Sequence, residues 1–131
     1  MNTVVVKANL VVFIASFCTL VIELVAGRIM APYVGVSLYT WTSIIGVVLA
    51  GISLGNYLGG RIADRRASRT TLGLVFLAGS LASAGILVMA NVAFSLQLQM
   101  PLIPKIVILT TAIFILPSIV LGMVSPIVVK L

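Results

Sequence analysis

The chain has 131 residues, 62% of them hydrophobic and 8% charged, with a mean hydropathy of +1.34. An ordinary soluble domain has roughly a quarter of its residues charged, and no aqueous fold hides this much apolar surface, so the solvent for this chain is lipid. The formal net charge of +6 then needs no nucleic acid partner, because topology and contact with anionic lipid headgroups account for it.

The apolar residues fall into four runs, about Ala8 to Met30, Tyr39 to Gly60, Thr71 to Phe94 and Ile106 to Val129, each bounded by charge or by Pro and Gly. Each is near or above the ~20 residues that cross a bilayer core. They are too long and too uniformly apolar for barrel strands, and in hydrocarbon only helices and closed barrels satisfy their own backbone. The sequence therefore predicts an all-α, integral membrane four-helix bundle, with residues 1–131 as a single multi-pass domain. The first run exceeds the apolar stretch of a cleavable signal and carries Glu23 and Arg28 near its end, so it is expected to remain in the mature protein.

Glu23 and Arg28 form the candidate intramembrane charge site of the first helix. A charge near hydrocarbon costs at least ~2.5 kcal/mol even on the mildest insertion scale, so both should face the bundle interior, an aqueous cavity or the interface. Five residues apart, they are rotated by about 140° from one another, and a direct pair is not automatic. Two readings stay open. Either Glu23 titrates or binds a cation, a polyamine among them, or it pairs with a donor from another helix while Arg28 snorkels to the outer headgroups. Cys18 is alone and there is no His, which leaves neither a disulfide framework nor a metal cluster. After this helix, Pro32 is expected to end it, Gly35 to permit the turn, and Tyr33, Tyr39 and Trp41 to sit at the interface.

In the second run Gly51, Gly55 and Gly59 recur every four residues, with Gly46 and Ala50 above and Gly60 adjoining. Such a stripe lets another backbone approach closely, where van der Waals contact replaces the missing hydrophobic drive. The second helix is expected to be central, with a weaker partner stripe in the third at Gly79, Ala82, Ser83 and Gly85. Between them lies the basic connection containing Gly60, Asp64, Arg65, Arg66 and Arg69. Asp64 should pin this loop by accepting charge-assisted bonds from arginines or from amides at a helix N-terminus. Before the fourth helix, Gln97 and Gln99 make the connection polar and Pro101 and Pro104 bracket it; Pro117 and Pro126 fall inside that helix, where each removes an amide donor.

Orientation follows from the cations. Placing the arginine-rich connection in the cytoplasm also places Lys7 and Lys130 there, leaving only Arg28 and Lys105 outside. Both termini are thus expected in the cytoplasm of a cell-membrane protein.

The segment Gly60-Arg61-Ile62-Ala63-Asp64-Arg65-Arg66 resembles the signature between the second and third helices of major facilitator transporters, although Ala67 and Ser68 stand where that family usually has Gly and Arg. Together with Glu23 to Trp41, Ile45-Gly46 and Gly122-Met123-Val124-Ser125-Pro126, the chain is similar to the membrane domain of certain spermidine synthase-like proteins. That family joins major-facilitator-like helices to a soluble aminopropyltransferase-like domain. The resemblance implies a major-facilitator-like arrangement. It does not bring the synthase activity, because this chain has neither a Gly-rich strand-turn-helix for a nucleoside cofactor nor an acidic cluster for a polyamine.

No catalytic, cofactor-binding or metal-binding residue is assigned, and the chain reads as a non-enzyme beside which a synthase domain could act in trans. Three function classes remain: a noncatalytic membrane domain that anchors or partners a soluble synthase-like protein, a small oligomeric transporter of cations or polyamines, and an accessory subunit of a larger membrane complex. All three imply association with the bilayer and with other helices, in a homo-oligomer or a larger assembly.

Overall fold

Uninterrupted apolar sequence in lipid forces every peptide group to find its partner within its own segment, and a helix is the arrangement that does so. A computed structural model describes residues 2–96 and 99–131, so Gln97 lies outside the described residues. All regular structure in it is helical: α1 (Thr3–Val34), α2 (Leu38–Arg66), α3 (Arg69–Ser95), α4 (Leu102–Gly122) and α5 (Val124–Lys130). Four spans are long and apolar enough to cross a membrane, α4 and α5 together making the last of them. Large apolar side chains such as Leu10, Phe13, Phe17, Leu81 and Leu87 point outward, which suits a lipid-facing surface and no aqueous one.

The helices overrun the apolar runs because charge does not stop a helix that has reached the interface. Arg61, Asp64, Arg65 and Arg66 continue α2, with Arg65 and Arg66 in its last turn, where cations complement the negative end of the helix dipole. The basic connection expected as a loop is therefore mostly helix, and only Ala67 and Ser68 separate α2 from α3. Pro32 likewise lies inside α1, which ends at Val34. The terminator is Gly35, at φ 79°, whose N–H donates to the carbonyl of Ala31; this left-handed conformation is one that glycine adopts without penalty. Pro104 opens the first turn of α4, where no intrahelical donor is lost.

At the other end of α4 the hydrogen-bond ladder is interrupted while the helical course continues. Pro126 has no N–H to donate to the carbonyl of Gly122, and its ring crowds that carbonyl. Met123, at φ −69° and ψ −21° and still donating to the Ile119 carbonyl, joins α4 to α5 without a change of hand, and Pro117 is tolerated farther up α4.

The bundle is organised around α4, which packs against α1, α2 and α3. Its buried side chains, including Leu109, Ile113, Phe114 and Ser118, point to several sides. The expectation that α2 is central is corrected in this respect: α2 presents one narrow face, and that face lies on α4, the most extensive helix contact in the molecule. Two apolar clusters flank the crossing. One surrounds Phe114, Ile106 and Met30, with Ile44 and Val48; the other joins Ala15, Ala63 and Val75 to Val124 and Ile127. At the end nearer the first cluster, Tyr33 of α1 stacks on Phe94 of α3 with ring centroids 3.4 Å apart.

Candidate functional site

The three glycines of α2 lie where α2 and α4 cross. Gly51, Gly55 and Gly59 are all buried. A Cβ on Gly51 would meet the Ser118 side chain and the Ile115 carbonyl, one on Gly55 would overlap the Ile119 carbonyl and the Gly122 backbone, and one on Gly59 would stand 2.8 Å from the Met123 backbone and from Pro126. Gly122 answers from the other side, where a Cβ would come within 2.8 Å of the Ile52 carbonyl. These are backbone-to-backbone approaches that any side chain would force apart.

Gly46 and Gly60 do not extend the seam, since a Cβ on either meets nothing. The partner is not the third helix, because Gly79 faces Val120 and Leu121 at ordinary contact distance and Gly85 faces open space. The partner positions are Ser118 and Gly122, four residues apart on α4, a spacing legible in the sequence as a second small-residue pair. Ser118 belongs there because its hydroxyl turns back to the Phe114 carbonyl at 2.8 Å, which removes its polarity from a buried contact.

Beside this seam, α1 stands off enough to leave a cavity of about 470 Å³. Its walls include Leu49 and Ile52 of α2 and Leu121 and Gly122 of α4, and its polar lining is Ser16, Thr19, Glu23, Asn56 and Ser125. Glu23 is half-buried and makes no ion pair or hydrogen bond among the described residues. Thr19 spends its hydroxyl on the Ala15 carbonyl. The cavity thus offers one carboxylate, an amide and hydroxyls, a set that can hold a proton, a cation or the polar side chain of another helix. It contains no nucleophile paired with a base.

Arg28 is not part of it. Exposed on α1, it lines a second cavity of about 380 Å³ with Gly27, Gly35, Thr40 and Trp41. The structure therefore separates Glu23 from Arg28, as their rotation about the helix requires. Trp41 packs its ring on Gly27, where a Cβ would stand 3.0 Å away.

Asp64 is also placed differently from the expectation. Its carboxylate pairs with Lys130 of α5 at 2.6 Å, with both side chains more than half exposed, and neither Arg65 nor Arg66 is its partner. It does not cap α3. That role falls to Ser68, whose hydroxyl accepts from the Thr71 amide at 3.1 Å, while the Thr71 hydroxyl donates to the Arg66 carbonyl. Ser37 and Thr40 repeat the device at the start of α2, with Thr40 donating to the Gly35 carbonyl. Both links thus carry the pattern Ser-x-x-Thr, a helix-start signal readable in the sequence. Arg61 lies over the ring of Tyr57, 5.4 Å from its centroid, Gly60 is half-buried, and Arg65, Arg66 and Arg69 are exposed.

Comparison with protein-family models, curated proteins and solved structures finds no match to this chain. The likeness to spermidine synthase-like membrane domains accordingly rests on the sequence motifs alone.

Proposed function

We propose that the chain is a noncatalytic membrane domain that assembles with further membrane helices and serves as anchor or partner for a soluble synthase-like protein. The observation that carries the assembly half of this reading is Glu23, half-buried in a largely apolar cavity to which Ser16, Asn56 and Ser125 add polar groups, and without a partner among the described residues. A carboxylate at membrane depth is costly unless protein or water meets it. A polar or cationic side chain from a neighbouring helix would meet it, at the cavity between α1, α2 and α4. The synthase half, and the major-facilitator-like arrangement, are supported by the motifs of the sequence.

In this reading the basic end of the bundle, with Lys7, the arginines of α2 and α3 and Lys130, faces the cytoplasm together with both termini, following the positive-inside rule. A reporter fused after Lys130 should be active only in the cytoplasm, and a signal from the opposite side would overturn the orientation.

The test of the function is isolation of the chain from its native membrane in mild detergent, with associated proteins identified by mass spectrometry. Membrane helices and a soluble synthase-like protein should co-purify, and Glu23→Gln should weaken the association with the helices. A chain that emerges alone, with or without Glu23→Gln, sinks the proposal. The same cavity supports a second reading, transport of an organic cation such as a polyamine with Glu23 as counter-ion; uptake into vesicles that is abolished by Glu23→Gln, without change in assembly, would favour it.

A further inference from the structure

A third cavity, of about 590 Å³, opens at the basic end between the start of α1, the start of α3 and the end of α5. That size lies inside the range of about 300–1,000 Å³ typical of ligand clefts. Lys7 and Arg69 stand on its lining with Asn9, beside apolar walls that include Val12, Leu72 and Val128. The two cations come from different helices and are brought to one crevice only by the fold.

The chain has two acids in all. Asp64 is held by Lys130, and Glu23 lines a different cavity, so no acidic side chain pairs with Lys7 or Arg69 among the described residues. Both α1 and α3 begin at this end while α2 and α5 finish there, so the helix dipoles oppose one another and the positive charge of the crevice rests on the two side chains. The crevice combines two cations with apolar walls, the complement of an anionic headgroup joined to an acyl chain. A soluble anion would satisfy the cations and leave the apolar walls unused.

The geometry points to a binding site for an anionic phospholipid, with the phosphate between Lys7 and Arg69 and the proximal acyl carbons against Val12, Leu72 and Val128. This inference is independent of the synthase-like partner and of the direction in which the basic end faces. It distinguishes one crevice from the general attraction of a basic surface, because Arg61, Arg65 and Arg66 share the charge and do not line the cavity.

The test uses the full chain in phosphatidylcholine nanodiscs containing a minor fraction of phosphatidylglycerol, with retained lipid measured by native mass spectrometry after release. Phosphatidylglycerol should be enriched over phosphatidylcholine. The double variant Lys7→Gln/Arg69→Gln should lower that enrichment roughly thirtyfold, at about 1 kcal/mol per cation near the surface. Arg65→Gln/Arg66→Gln, of equal charge change, should leave it nearly intact. All four residues are exposed, and helix content by circular dichroism checks that each variant is folded. Equal losses in both double variants would reduce the effect to net charge and overturn the site. Displacement of the lipid by inorganic phosphate or glycerol phosphate at equal concentration would make it a site for free phosphate and overturn the lipid assignment.

Discussion

The seam between α2 and α4 and the attachment of α1 are built by opposite means. At the seam the side chains are nearly gone, and the Gly55 and Gly122 backbones meet directly. Along α1 the chain is rich in large apolar residues, yet only Ala15, Ala26, Met30 and Val34 are buried, and a cavity separates part of it from the rest. In water the more apolar helix would be the more buried one. In lipid the tails compete equally for Leu and Phe, so contact goes to the helix that lets another backbone come close. Hydrophobicity places these helices in the membrane, and small residues decide which of them touch.

The sharpest way to break this contrast is Gly55→Leu. Even a Cβ at this position overlaps the Ile119 carbonyl and Gly122, so the substitution should cost about 3 kcal/mol or more and be read as lost accumulation and early unfolding in detergent. Gly46→Leu, into open space, should change stability by no more than about 0.5 kcal/mol. Comparable damage from both would remove the seam as the source of stability.

A pair of identical truncations sharpens the comparison further. Phe114 is fully buried against the first apolar cluster, whereas Phe17 on α1 is 58% exposed. Phe114→Ala should cost about 1–3 kcal/mol, chiefly the cavity it leaves, since transfer into lipid replaces transfer into water. Phe17→Ala should leave the melting temperature in detergent nearly unchanged, unless a partner helix covers that face in the native membrane.

Smaller effects belong to the links. Ser68→Ala removes the hydroxyl that caps α3 and should lower stability by about 1 kcal/mol, with Ser68→Asp restoring most of it. The smallest effect is expected at the exposed Asp64 and Lys130 pair. Asp64→Asn and Asp64→Ala should be alike and within about 1 kcal/mol, and salt should erase the difference from the parent chain. A clearly larger loss for Asp64→Ala would restore to Asp64 the capping role that Ser68 holds here.

The four spans were legible because the length and uniformity of the apolar runs are a direct consequence of bilayer thickness. Their ends were not, since Arg61 to Arg66 extend α2 beyond the hydrocarbon and the helix has no reason to stop until Ser68 begins the next one. The glycine periodicity of α2 is visible in one dimension, but its partner is a matter of three. Ser118 and Gly122 carry the matching spacing, yet only the packing distinguishes them from Gly79 and Ser83. For Asp64 the arginines are near in sequence, whereas its partner Lys130 is distant in sequence and adjacent in space. The Glu23 cavity was legible as a need for company at membrane depth, and its polar lining from Asn56 and Ser125 was not, because those residues lie on other helices.

The seam also sets a timetable. Gly55 waits for Gly122, and the whole of α3 must be made between them. At synthesis rates of roughly 5–20 residues per second, α2 spends several seconds in the bilayer with its bare backbone facing lipid or the insertion machinery. During that interval any other helix with a small-residue face is a competitor for the same groove, and whatever holds α2 apart from such helices until α4 arrives decides the yield of correctly assembled bundle.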